Sequence, residues 1–214
     1  PIRQVNDDGT FQLQYYHVGT GNWENLEIVG TESATAFTFA PYTSTTDTED
    51  YVYLCDGTAN LQRWTGGHDL LNGLLAGGEG TITVDSTAGF ESAGTLLIGS
   101  TSVTYSGKTA TTFTGCVGTP AAADDAPVSQ VAVDFAASAG SKPLGRIMIV
   151  WNRQLVVADE QFFKTSEVNN FTDYSGGLST TEGIMGGRIT GFAVQNKKLI
   201  IFTENTIQAV SYDF

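Results

Sequence analysis

VWNRQLVV at residues 150–157 and VQNKKLII at residues 194–201 align without a gap at an offset of 44 residues. Val150 falls on Val194, Asn152 on Asn196, Arg153 on Lys197, Leu155 on Leu199 and Val156–Val157 on Ile200–Ile201. Each copy runs from an apolar strand through a polar three-residue turn into a second apolar strand, which is the pattern of a β-hairpin. The later copy continues through Glu204–Asn205 into a further apolar stretch, TIQAVSY, so three antiparallel strands are predicted to follow one another as a meander.

The same pattern recurs upstream. YVYLCDGTANLQRW (51–64) reads as strand, Asp56–Gly57 turn and strand ending in Trp64, and Asp-Gly is a strong hairpin signal. FQLQYYHVGTGNW (11–23) reads as strand, Gly-rich turn and strand ending in Trp23, 41 residues before Trp64. The Asp56–Gly57 and Glu204–Asn205 turns are 148 residues apart, and removing a segment of about 55 leaves two periods of about 46. A period of roughly 40–45 residues with four short strands is the size of a propeller blade. The predicted fold is therefore all-β, with about four four-stranded propeller-like blades that form part of a larger propeller. The blades occupy 1–76 and 132–214, and Trp23, Trp64 and Trp151 are expected to fill space between them.

The segment that breaks the period, 77–131, is predicted to be an inserted small β-barrel or sandwich. Gly77, Gly78 and Gly80 open it and ADDAPVSQV (123–131) closes it. Between them ITV, TLLIG, TSVTYSG and ATTFTG read as short strands with glycine at the corners. Surface loops tolerate such insertions because loop-closure entropy grows slowly with length. HDLLNGLLA (68–76) is the one stretch with helical character, and Gly73 limits it to one or two turns.

Composition agrees with strands. Gly 25 and Thr 29 of 214 residues favour turns and pleated surfaces over helices. Residues 1–141 hold three basic and 16 acidic residues, whereas 142–214 hold seven of each. The acidic part argues against stable nucleic-acid binding and against an anionic membrane surface. Cys55 and Cys116 are 61 residues apart, which suits buried thiols better than a disulfide scaffold. No run approaches the ~18 apolar residues of a membrane span. The start, PIRQVNDDGT, has no signal-peptide pattern and no methionine, so a processed chain or an excerpt is expected.

Ile82, Val84, Thr87, Gly89, Phe90, Gly94, Leu96, Ile98, Gly99, Tyr105, Gly107, Lys108, Phe113, Gly115 and Cys116 follow a pattern that resembles a small module of tailed-bacteriophage virion proteins. Where that family carries a basic residue and a His-containing turn, this chain has Val117 and AAADDAPV (121–128). Trp151, Asn152 and Leu155, followed by Ser166, Asn170, Phe171 and Asp173, are similar to repeats of phage tail and neck β-propeller proteins. The resemblance implies a structural protein of the virion, assembled in the host cytoplasm and placed in a tail or at the head–tail junction. Its implied partners are other virion proteins and further copies of itself.

Motifs for chemistry are sparse. His17 and His68 stand alone, and neither they nor the cysteines have zinc-site spacing. Asp7-Asp8-Gly9 and Asp124-Asp125 do not reproduce an EF-hand loop. Ser106-Gly107-Lys108-Thr109 has only the tail of a phosphate loop and no helix after it. A glycosidase would draw on Asp159, Glu160, Asp173 and Glu204, since propellers can seat paired carboxylates. Asp159–Glu160 and Glu204 fall in equivalent turns, however, which favours turn chemistry. No catalytic, cofactor or metal residue is predicted, and a carbohydrate- or receptor-binding module is the stronger rival to a purely structural role.

Overall fold

Asn152 and Arg153 take φ of 51° and 58°, and Asn196 and Lys197 take 50° and 64°. Two successive left-handed residues form a two-residue hairpin loop whose twist matches the flanking strands, and Asn tolerates that conformation well. Trp151 accordingly pairs with Gln154, and Gln195 with Lys198. The turn read as three residues therefore holds two, because Gln154 and Lys198 already belong to the returning strands.

The computed structural model describes residues 2–7, 10–26, 38–42, 50–55, 61–176 and 186–211, and every regular element among them is a β-strand. β1 (Ile2–Asp7), β2 (Thr10–His17) and β3 (Asn22–Leu26) form a three-stranded sheet. The Gly-rich turn between β2 and β3 leaves His17 paired with Asn22. β4 (Thr38–Tyr42), β5 (Tyr51–Cys55) and β6 (Gln62–Trp64) begin a second sheet, whose Asp56–Gly57 turn lies outside the described residues.

The chain then leaves that sheet. β7 (His68–Leu70), β9 (Gly94–Ile98), β10 (Thr101–Tyr105) and β13 (Pro127–Gln130) form a sheet in the order β10-β9-β13-β7. β8 (Thr81–Thr83), β11 (Gly107–Lys108) and β12 (Thr112–Thr114) form another, in the order β11-β12-β8. β14 (Val133–Asp134) returns beside β6, completing the order β14-β6-β5-β4. Two antiparallel meanders follow, β15 (Ile147–Trp151), β16 (Gln154–Asp159) and β17 (Phe162–Thr165), then β18 (Ile189–Gln195), β19 (Lys198–Thr203) and β20 (Ile207–Val210).

These meanders have three strands among the described residues, against the four expected. After β17 the chain goes into turns, and Asp173 touches Ala139 only through a single parallel bridge. The segment expected to be helical is not: His68–Leu70 pairs with β13, Leu71 bridges to Val84 and Leu75 to Ala122. Its leucines are drawn into sheet pairing by a core that lies further along the chain, and Gly73 at φ 103° breaks any helical turn.

Two compact units result. One holds β1, β2 from Gln12 on, β3 and β7–β13; the other holds β4, β5 and β15–β20, and the boundary runs through β6 and β14. In the first, Ile82, Val84, Phe90, Leu96, Val103, Phe113 and Val128 are fully buried between the two small sheets. Thr and Ser alternate outward, as a one-sided strand requires. Leu71 and Leu75 belong to the same core, so the expected module start at Gly77 falls inside this fabric. Gly77 and Gly78 there are bonded turn residues: Glu79 accepts from the Ala76 and Gly77 N–H groups, and Gly78 N–H donates to Thr119.

In the second unit β16 is buried on both faces. Leu155 and Val157 pack with Tyr53, Cys55, Met148, Phe171 and Tyr174. Val156 and Ala158 pack with Trp151, Phe163, Ile189, Leu199 and Ile201. The β15–β17 sheet is thus sandwiched between its neighbours, and the leading strands β4, β15 and β18 lie side by side.

Candidate functional site

The carboxylates of the second unit sit at its turns. Asp159 ends β16 and Glu160, with φ of 49°, opens the loop to β17. Arg146, just before β15, reaches Glu160 at 3.1 Å, and Arg188, just before β18, reaches Glu204 at 3.6 Å in the corresponding loop. Glu160 also accepts the Ile189 N–H through its backbone carbonyl at 2.7 Å. Asp173 accepts from the Ser175 backbone N–H at 2.9 Å and from its hydroxyl at 2.7 Å. Those donors, the backbone one foremost, hold its carboxyl below the usual carboxylate range. A glycosidase needs one carboxyl raised to serve as the acid. Asp173 is shifted the other way, and Glu160 and Glu204 are each paired with an arginine that sequence reading did not single out.

Pro143, Leu144, Asp159, Phe162 and Lys164 line an open groove of about 190 Å³. That is smaller than the roughly 300 Å³ at which small-molecule pockets begin. Leu144 and Phe162 are solvent-exposed on it, and Lys164 donates to the Ser141 carbonyl at 3.0 Å.

In the first unit His17 is fully buried. Its Nδ1 accepts from the Thr20 N–H at 3.2 Å, so Nε2 carries the proton that it shares with the Asp69 carbonyl at 3.2 Å. His68 stands edge-on to it at 4.9 Å, with Nδ1 2.8 Å from the Gly66 carbonyl. The ring of Tyr15 lies tilted beside both, 6.1 Å from His17 and 5.4 Å from His68 between centres, and burial pushes its phenol well above the usual range. The two histidines, far apart in sequence, are therefore brought together as packing groups, with the nitrogens named here engaged by backbone. No group of three or more His, Cys, Asp or Glu side chains suited to a metal occurs among the described residues.

The remaining sequence candidates are also placed. Asp124 accepts from the Gly73 N–H at 2.7 Å and the Asp125 N–H at 3.1 Å, a turn role. Asp8 and Gly9 lie outside the described residues. Cys55 and Cys116 are buried and form no disulfide, the Thr38 hydroxyl lies 2.8 Å from the Cys55 sulfur, and burial pushes the Cys116 thiol up. Trp151 is buried between its sheet and the next, with its indole N–H on the Lys197 carbonyl at 2.9 Å. Trp64 is buried with its N–H on Gln130, while Trp23 is half-exposed, edge-on to Tyr16.

Cations hold loops. Lys108 donates to the Thr87 carbonyl at 3.1 Å and to that of Phe90, tying the T-x-G-F turn to the neighbouring sheet. Lys142 donates to the Leu61 and Phe135 carbonyls at 2.8 Å and to Asp134. Arg63 lies 4.3 Å from the centre of the Tyr51 ring. These contacts fasten the chain internally. No protein family, no curated protein and no solved structure matches this chain.

Proposed function

We propose that the chain is a non-enzymatic structural component of a tailed phage or prophage particle, in the tail or at the head–tail junction. It works by packing against other virion proteins and copies of itself, without stable nucleic-acid or membrane binding. The observation that carries this reading is the burial of β16 on both faces, with Leu155 and Val157 in one intersheet core and Val156 and Ala158 in the next. Sheets stacked face to face with their leading strands adjacent are what propeller blades require. In that reading β4, β5, β6 and β14 make one blade, interrupted between its third and fourth strands by the β7–β13 module. The fixed carboxylates repel phosphate, and of the three basic residues in 1–141, Lys108 and Arg63 are engaged internally.

Mass spectrometry and antibody labelling of gradient-purified particles from the encoding host test the proposal. The chain should co-purify in stoichiometric amount and label one site per particle end. Its absence from particles would overturn the reading. One observation favours a receptor-binding role instead: the half-exposed Trp23 beside Tyr16, 5.6 Å between ring centres, could stack on a sugar. Specific glycan-array binding abolished by Trp23→Ala would support that alternative.

A further inference from the structure

The described cations divide into two groups. Arg63, Lys108, Lys142, Arg146, Lys164 and Arg188 are engaged within the chain, on an aromatic ring, on carbonyls or on carboxylates. Arg153, Lys197 and Lys198 are exposed, and their side chains make no ion pair or hydrogen bond among the described residues. These three gather in one place. Arg153 stands in the loop between β15 and β16, and Lys197 and Lys198 stand at the matching loop between β18 and β19. Trp151, next to the first loop, donates its indole N–H to the Lys197 carbonyl at 2.9 Å and so holds the two tips side by side.

The other unit carries the complement. Asp85 accepts from the Asn72 side-chain amide at 2.8 Å, and Asp124 accepts from the Gly73 N–H at 2.7 Å. The Asp125 N–H donates to the Leu71 carbonyl at 3.1 Å. Three exposed carboxylates therefore surround the 71–73 turn, and none of them is ion-paired among the described residues.

We propose that the basic hairpin tips at Arg153, Lys197 and Lys198 dock on the acidic 71–73 turn of a second copy of this chain. Charge complementarity selects that occupant. Residues 142–214 balance seven cations against seven anions, whereas residues 1–141 carry net −13. Two acidic portions repel each other, but the tips of one copy attract the acidic portion of the next. A contact between two different surfaces is heterologous, so it repeats from copy to copy, closing a ring or extending a filament. Exposed ion pairs each contribute little and are screened by salt, so the association is weak and salt-sensitive. The inference rests on the packing role proposed above and names one of its contacts.

Sedimentation velocity of the 214-residue chain over a concentration series reads the outcome. Species larger than the monomer should grow with concentration at about 20 mM salt and vanish at about 0.5 M. Lys197→Glu with Lys198→Glu, and separately Asp85→Lys with Asp125→Lys, should weaken association at least about tenfold with unchanged far-ultraviolet circular dichroism. Mixing these two variants should restore it, because the reversed tips of one fit the reversed turn of the other. Val18→Ser, exposed and uncharged, should leave association unaltered. If the Asp85 and Asp125 variant unfolds, the hairpin-tip variant decides. A chain that stays monomeric at low salt, variants that associate like wild type, or a mixture of folded variants that stays monomeric overturns the proposal. So does duplex DNA retarded on a gel by wild type and not by the tip variant, which would give the tips to phosphate. None of these results alters whether the chain is found in purified particles, so this inference and the proposed function fail separately.

Discussion

The ammonium of Lys108 donates to two carbonyls, those of Thr87 and Phe90. Lys108→Met keeps the aliphatic stem and removes the donors, so the module should lose about 1–3 kcal/mol, read as a shift of its denaturant midpoint. Asp173 makes a pH-dependent contribution. The Ser175 N–H and hydroxyl depress its folded carboxyl below the unfolded value. Its stabilisation is therefore complete above the ordinary carboxylate range and is lost as pH falls through the depressed value. Asp173→Asn should be less stable than wild type at neutral pH, and the gap in urea midpoint should close on acidification. A gap that widens toward low pH would contradict this assignment. Neither role was legible in the sequence: Lys108 looked like part of a phosphate-loop fragment and Asp173 like a candidate acid, because their partners are fixed by loop geometry.

At the scale of elements, the repeated hairpins rest on their two-residue loops. Arg153 and Lys197 sit at positive φ, where an L side chain is strained and glycine is not. Arg153→Gly should raise stability by about 0.5 kcal/mol, the relief of strain being partly offset by the freedom glycine gives the unfolded chain. Thermal melts of the two chains compare them directly, and a clear loss of stability would show the Arg153 side chain to matter more than its backbone. The contact between the two meanders is sharper still. Trp151→Phe removes the hydrogen bond to Lys197 and should cost about 1 kcal/mol. Trp151→Ala empties the intersheet core and should cost about 3–5 kcal/mol. Strand identity and turn position were readable here because alternation and Asn-rich turns are local signals. The mistaken helix over 68–76 shows the limit, since what decided it was pairing with residues near 127.

For the whole molecule, separate cores imply separable stability. Among the described residues the module core draws on residues from Leu71 to Val128, while the intersheet cores draw on Ala40, Tyr53, Cys55 and Leu61 and on residues from Phe135 onward. Replacing 67–130 by a short Gly-Ser linker should leave the β15–β20 sheets folded, as judged by the buried fluorescence of Trp151. The linker should begin before His68, because excision from residue 78 would strand β7 without its partner β13. In the intact chain Trp64 and Trp151 report on different units, so Trp64→Phe and Trp151→Phe should reveal two melting transitions rather than one. Coincident transitions would mean that the two cores unfold as one.

The residues by themselves determined the all-β class, the hairpins of the 44-residue repeat, the alternation within the module and the uneven charge. Each of these depends on a residue's own backbone preference or on neighbours a few positions away. The tertiary structure alone decided that the module's sheet begins at His68, that His17 and His68 meet, and that Glu160 and Glu204 belong to arginines. It also decided that β16 is covered on both faces. Those outcomes follow from long-range burial, which chooses among strand pairings that local sequence leaves equally acceptable.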